Sequence, residues 1–153
     1  MILIFMISYA ESKVDLDAMF DFADACGLQF DKPEITLISD RGSAIISSVS
    51  ERYKHLKHHH CAKHIERNLK QRGWNRFIGL FWNARNACTF AKYQAAMNEI
   101  KNASLQMYQY LSSIKNWCLY ELIEKHNKIF GIMSSNIVES KMSICFPCNI
   151  SFF

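Results

Sequence analysis

The spacing of hydrophobic residues changes near residue 62. Before that point, two apolar runs at residues 2–9 and 34–39 alternate with segments whose apolar residues recur every three or four positions. Continuous apolar runs are typical of buried strands, and the recurring pattern is typical of helices. A third, polar run at 55–61 completes a predicted β-α-β-α-β order, for which parallel strands and right-handed crossovers are expected.

Local signals mark the ends of the first two predicted helices. Ser12-Lys13-Val14-Asp15 has the form of a capping box, and Gly27 suits the left-handed position that follows a helix. Gly42 and Ser43 open the second helix.

The pattern after residue 62 is helical. Helices are predicted near 62–72, 75–87, 90–102, 104–113 and 116–127, with another starting near Ser135. The predicted domain organisation is a partial α/β core at 1–61, a helical insertion at 62–134, a return helix of the core at 135–144 and an unassigned tail at 145–153.

Composition fits one domain of ordinary size. Half of the 153 residues are hydrophobic, which argues against disorder, and the low content of Gly (5) and Pro (2) argues against a turn-rich β fold. The apolar run at 1–7 lacks the basic start of a signal peptide, so a buried strand is favoured there. No stretch is long enough to span a bilayer. Six scattered cysteines indicate reduced thiols and an intracellular protein.

Charge is distributed unevenly along the chain. Residues 11–40 carry eight acids against two lysines, whereas residues 52–76 carry eight Lys/Arg against Glu66 alone. The basic block suits a polyanion such as nucleic acid, and its alternative interpretation is a solvated helix face. The candidate DNA-binding residues are Lys54, Lys57, Lys63, Arg67, Lys70, Arg72 and Arg76.

Two acids are candidate metal ligands. Asp40 ends an apolar run and precedes Arg41-Gly42, and carboxylates at the carboxyl ends of strands can hold divalent ions that act on phosphodiesters. An Asp in this place also suits a turn or helix cap. Glu139, within Asn136-Ile137-Val138-Glu139-Ser140, would equally suit the dipole of a helix that starts there.

Cys61-x-x-His64 offers two zinc ligands on one helical turn. A closed zinc site needs four ligands, which Cys145-x-x-Cys148 could complete. The alternative is a partly buried polar pair that shapes the turn after the strand.

These segments together resemble the catalytic core of Mutator-like element (MULE) transposases. The resemblance covers about residues 2–144 and includes the strand ending in Asp40, the Cys61-x-x-His64 segment and the segment carrying Glu139. Two stretches beginning at Phe81 and Phe90 resemble that family's helical insertion.

The resemblance implies a partial ribonuclease H-like α/β fold with three strands and a large helical insertion. It also implies metal-dependent DNA cleavage and strand transfer in the intact parent protein. Asp40 and Glu139 would then be two of three carboxylates holding Mg²⁺ or Mn²⁺. DNA is the expected partner, and no membrane partner is expected. Self-association through an exposed strand edge is an open expectation. A eukaryotic protein of this kind would be nuclear.

The chain also departs from the family pattern. Residues 2–9 resemble the family's third strand, so the first two strands and their Asp are expected to be missing, and Met142 replaces a usual Asn. A two-metal site without one carboxylate loses electrostatic stabilisation of phosphoryl transfer, so this chain alone is expected to be inactive. The alternatives are a transposase-derived DNA-binding or regulatory protein without enzymatic activity, and a relic without a stable fold.

Overall fold

The structure, a computed structural model, describes residues 12–28, 30 and 36–121. These residues are mostly helical, with one two-stranded parallel sheet, so the α/β class is confirmed at this level. They divide into unit 1, which runs up to His59, and unit 2, which starts at His60. The predicted strand at 2–9 and the segment around Glu139 lie outside the described residues.

Unit 1 begins with helix α1 (Lys13–Ala25), which is followed by strand β1 (Thr36–Ser39) and helix α2 (Ser43–Arg52). Strand β2 (Lys57–His60) comes next and pairs with β1. Strands are therefore present in both runs predicted, with four residues of 34–39 in β1, while β2 is shorter than the predicted 55–61 and covers only Lys57–His60. The polar character of β2 is accommodated because only His59 of its four side chains is buried.

Both predicted ends of α1 are confirmed. The Ser12 hydroxyl oxygen accepts the Asp15 backbone N–H at 3.2 Å, which satisfies one of the unpaired donors at the helix start. At the other end Gly27 has φ +78°, and its N–H reaches the Asp24 carbonyl oxygen at 2.9 Å. The N–H of Leu28 bonds to the Ala23 carbonyl oxygen at 3.0 Å, which completes a Schellman motif.

The core of unit 1 lies mainly between α1 and α2. The rings of Phe20, Phe30 and Tyr53 are the centre of this core, with centroids 5.2 to 5.4 Å apart. Aliphatic side chains fill the remaining space, namely Leu16, Met19, Ala23, Leu28, Val49 and Leu56.

Unit 2 is helical. It contains α3 (Ala62–Gln71), a 3-10 turn (Asn75–Phe77), α4 (Ile78–Arg85), α5 (Phe90–Ala103) and α6 (Leu105–Ser112). None of the helices in the described ranges is long and apolar enough to cross a membrane.

Two helix predictions for unit 2 were wrong at their boundaries. The helix predicted at 75–87 is a 3-10 turn followed by a shorter α-helix. The helix predicted from 116 starts later, because Asn116 takes a left-handed conformation with φ +52°, and the described helical residues there are 119–121. Asparagine tolerates this conformation better than most residues, so it can turn the chain before the helix.

The core of unit 2 is larger and more aromatic. Phe81 of α4 stacks on Trp117, with ring centroids 5.4 Å apart and an interplanar angle of 12°, and both side chains are fully buried. α3, α4, α5 and α6 each contribute buried apolar residues around this pair, including Leu69, Ile100, Met107 and Leu111.

A second Schellman motif ends α3. Gly73 has φ +82°, its N–H bonds to the Lys70 carbonyl oxygen at 3.0 Å, and the Trp74 N–H bonds to the Leu69 carbonyl oxygen at 3.1 Å. The turn returns Trp74 to the edge of the core, against which its half-buried ring packs.

Two alanine substitutions test the conformation at Gly73. Gly73→Ala should lower the free energy of unfolding by about 1 kcal/mol, because an L-residue is strained at positive φ although the added methyl meets open space. Gly79→Ala is the matched control, since Gly79 lies inside α4 with open space around its missing Cβ, and it should raise the same quantity by about 0.5 to 1 kcal/mol. Urea denaturation measures both, and two changes of the same sign would contradict the assignment.

Candidate nucleic-acid interface and the Asp40 turn

Asp40 lies directly after β1 and is half-buried, at the carboxyl end of the strand where it was predicted. Its carboxylate oxygen Oδ1 accepts the backbone N–H of Gly42 at 3.1 Å. Because Gly42 is the N-cap of α2 and has no side chain to cap the helix, this Asx turn organises the entry into α2. The prediction that Asp40 forms a turn is thus confirmed. Its role as a metal ligand stays a prediction.

Ser39 and His58 join the two strands beside Asp40. The Ser39 hydroxyl donates to the Asp40 carbonyl oxygen at 2.8 Å, and the Ser39 hydroxyl oxygen lies 2.7 Å from His58 Nε2. A hydroxyl has one hydrogen to donate, so Nε2 must be the donor to Ser39. Sequence reasoning missed this pair, because a contact between separate strands leaves no local signal.

Cys61 and His64 lie at the start of α3, as predicted. Cys61 is the N-cap residue and is buried, whereas His64 is half-buried in the first turn. Residues 12–28, 30 and 36–121 contain no group of three or more His, Cys, Asp or Glu arranged to hold a metal ion. Cys145, Cys148 and Glu139 lie outside these ranges, so the zinc and catalytic-metal predictions for them are not tested.

The positive charge of the described chain belongs to unit 2. Its residues 60–121 contain nine Lys/Arg against three Glu, a net charge of +6. The described residues of unit 1 contain five Lys/Arg against six acids, a net charge of −1. The predicted basic block therefore divides between the units, with Lys54 and Lys57 in unit 1 and the remaining candidates in unit 2.

Ion pairs within unit 1 engage much of its charge. Lys13 contacts Asp17 at 2.8 Å and Glu51 at 2.9 Å, which links the start of α1 to the end of α2. Arg52 is paired with Asp21 and also lies 3.7 Å from Asp24. The hydrogen bond to Asp21 raises the pKa of Arg52. These contacts pair three acids of α1, Asp17, Asp21 and Asp24, with cations of unit 1.

Lys63 and Lys70 share one partner in unit 2. Lys63 Nζ lies 3.1 Å from one Glu66 oxygen and Lys70 Nζ lies 2.7 Å from the other. Burial acts to raise the pKa of Glu66, but the hydrogen bonds from Lys70 and Lys63 outweigh it and leave the pKa below its ordinary value. Two of the predicted DNA-binding residues are therefore partly neutralised within α3.

Arg67, Arg72 and Arg76 are exposed, and none of them forms an ion pair within the part of the chain that the structure describes. Two of them lie over aromatic rings, Arg72 at 4.6 Å from the Tyr110 centroid and Arg76 at 4.5 Å from that of Phe77. Such contacts hold a cation in place without neutralising it.

Further cation–aromatic contacts surround this set. Lys63 lies over Trp82 at 5.1 Å, and Lys101 lies over Tyr108 at 5.6 Å. Lys101 is outside the sequence block on which the prediction was based, and the partners Tyr108 and Tyr110 are on α6. The basic character of unit 2 is thus combined with half-buried aromatic rings, a feature that charge counting could not reveal.

Arg85 is a buried cation in the interior of unit 2. It is 2% exposed, and its Nε and Nη1 atoms have no hydrogen-bond partner among the described residues. Burial lowers its pKa, while nearby Cys118, Cys61 and Glu121 act in the opposite direction. The Glu121 carboxylate is already engaged, since it accepts the Cys118 backbone N–H at 3.4 Å and the Cys118 thiol at 2.9 Å.

Comparison of the chain with protein-family models, with curated proteins and with solved structures finds no match.

Replacing Arg85 tests the cost of its buried donors. Arg85→Met should leave the free energy of unfolding unchanged or raise it by about 1 to 3 kcal/mol, because unpaired buried donors carry a desolvation cost that an apolar chain of similar length avoids. Denaturant unfolding measures the change. A loss of several kcal/mol would instead show that the guanidinium has a strong partner in the folded protein.

Tyr53 makes unit 1 sensitive to alkaline pH. Burial, together with the hydrogen bond that its hydroxyl donates to Asp24 at 2.8 Å, raises the pKa of Tyr53 to about 12 from 10.0. The unfolded chain then loses this proton at lower pH than the folded chain, so the stabilisation is complete below pH 10 and is lost as the pH rises towards 12.

Urea denaturation over this pH range should show a steeper loss of stability for the native sequence than for Tyr53→Phe. The difference between the two proteins is the readout, because all other titrating groups are common to both. Parallel curves would rule out a perturbed Tyr53.

Proposed function

We propose that this chain is part of the catalytic region of a MULE-type DNA transposase and that its unit 2 binds DNA. The observation that carries the DNA-binding part is the separation of charge, with +6 on the described residues of unit 2 and −1 on those of unit 1. A positive unit attracts phosphates without reading bases, and such contacts supply most of the nonspecific affinity for DNA.

Arg67, Arg72 and Arg76 are the residues best suited to contact phosphates. Their guanidinium groups are exposed, and neither Glu66 nor any other described acid neutralises them. Lys63 and Lys70 would contribute less, because a phosphate must compete with Glu66 for them. Lys54 is exposed on unit 1 and Lys57 is half-buried there, in surroundings without excess positive charge.

The transposase part of the proposal is supported by the position of Asp40. It follows the first strand of a parallel pair joined through a helix, which is the place where functional groups gather in α/β sheets. Asp40 would contribute a carboxylate oxygen to Mg²⁺ or Mn²⁺, and Glu139 would be a second ligand from outside the described residues. The metal would stabilise the charge that develops on a phosphodiester during cleavage and strand transfer.

A second candidate is a transposase-derived protein that binds DNA without cutting it. The hydrogen bond from Gly42 to Asp40 favours it, because an Asx turn gives this Asp a structural role that needs no metal. Both candidates share the basic unit and differ in their need for the negative charge of Asp40.

DNA binding is tested by fluorescence anisotropy with a labelled duplex at about 0.1 M salt. The double variant Arg67→Glu/Arg76→Glu should weaken binding more than about tenfold and reduce the slope of log affinity against log salt by about 2, since each lost phosphate contact removes about 0.9. Lys54→Glu is the control on unit 1 and should change affinity by about twofold or less. Equal effects of the two changes, or no binding by the native chain, would contradict the proposal.

Asp40→Asn separates the two candidates. Asparagine keeps a side-chain oxygen for the Gly42 N–H, so the turn should persist while the carboxylate charge is lost. Mn²⁺ binding by the chain that disappears in Asp40→Asn would support the transposase. DNA binding that is unaffected by chelators and by Asp40→Asn, without Mn²⁺ binding that depends on Asp40, would support the non-enzymatic protein.

A further inference from the structure

The turn that ends α3 places two side chains against one ring of α6. Arg72 is the C-cap residue and Trp74 follows Gly73, whose left-handed conformation reverses the chain between them. The Arg72 guanidinium carbon is 4.6 Å from the Tyr110 ring centroid, and the Trp74 ring is 5.7 Å from it, tilted by 46°. Arg72, Trp74 and Tyr110 are called the α3–α6 cluster below.

Two members of the α3–α6 cluster are held against the core, and the third is exposed to solvent. Trp74 and Tyr110 are half-buried and pack against the core of unit 2, while Arg72 is exposed. The guanidinium carbon lies over the Tyr110 ring, and no ion pair from the described residues engages the group. Packing against Tyr110 restricts the guanidinium before any partner arrives, so less entropy is lost on binding.

A flat cation held on a ring is a surface on which a nucleobase can stack. Unpaired bases stack on aromatic rings and on arginine guanidinium planes, and each such stack contributes about 1 to 3 kcal/mol. Bases inside a duplex are covered by their neighbours and cannot use this surface. The exposed Arg67 and Arg76 lie on either side of Arg72 in the sequence and can contact the phosphates of a bound strand.

We propose that the α3–α6 cluster binds an unpaired base, so that unit 2 prefers single-stranded over duplex nucleic acid. The inference rests on the proposed nucleic-acid binding of unit 2 and adds a preference that charge alone does not produce. Arg72 would stack on the base, and Tyr110 with Trp74 would hold Arg72 in the stacking orientation.

The test compares three labelled ligands by anisotropy, namely oligothymidylate and oligouridylate of about 15 nucleotides and a DNA duplex of the same length. The full chain should bind at least one single strand more tightly than the duplex at the same salt concentration. The two single strands separate a DNA from an RNA preference. Tryptophan fluorescence should also change on binding, because Trp74 belongs to the cluster.

Arg72→Lys keeps the charge and removes the planar group. It should weaken single-strand binding by about 5-fold or more, which corresponds to the loss of one stack, and should change duplex binding by about twofold or less. Arg67→Lys is the comparison variant, since Arg67 is also exposed and has no aromatic contact in the described chain. Because it alters a phosphate contact alone, any loss of affinity should be the same for the single strand and for the duplex.

Equal effects of Arg72→Lys and Arg67→Lys on the single strand, or tighter binding of the duplex, would overturn the inference while leaving the proposed DNA binding intact. Failure to bind any of the three ligands would overturn both.

Discussion

The stacked rings of Phe81 and Trp117 are the centre on which unit 2 depends. They are fully buried, and the helices of the unit pack their apolar side chains around them. The half-buried rings of Trp74, Trp82, Tyr108 and Tyr110 pack against the outside of this core. Cations lie over three of these rings, those of Trp82, Tyr108 and Tyr110. The core and the proposed binding surface therefore share aromatic residues, so a substitution in the core should also shift the rings of the binding surface.

The two units handle charge in different ways. In unit 1 the cations Lys13 and Arg52 are paired with acids of α1 and α2, and their charge holds helices together. In unit 2 Glu66 neutralises two lysines in part, and Arg67, Arg72 and Arg76 remain exposed. Exposed ion pairs contribute little to stability, so leaving these arginines without ion pairs costs little free energy of folding. Their charge instead creates an electrostatic field that attracts negatively charged partners.

Much of the fold was predictable because its signals are local. Ser12 and Gly27 mark the ends of α1, apolar runs mark β1, and helical periodicity marks the helices of unit 2. The boundaries near Asn75 and Asn116 were predicted less well, since a 3-10 turn and a left-handed residue follow from packing as much as from sequence.

The candidate site was less predictable, because its decisive contacts join residues far apart in the chain. The block of basic residues indicated a polyanion as partner. The sequence could not show that Lys63 and Lys70 pair with Glu66 while Arg67, Arg72 and Arg76 stay exposed. Nothing local connects Arg72 with Tyr110, or indicates that Arg85 is buried beside two thiols while the other arginines of unit 2 are exposed. The carboxylate of Asp40 shows the same limit, since one residue suits both a turn and a metal site.

The hydrogen bond between His58 and Ser39 has a consequence for the acid tolerance of the sheet. Ser39 gives its only hydroxyl hydrogen to the Asp40 carbonyl oxygen, so His58 Nε2 donates in the neutral ring. A protonated imidazole carries a hydrogen on Nε2 as well, and it can make the same bond. The hydrogen bond between the strands can therefore form with either charge state of this histidine.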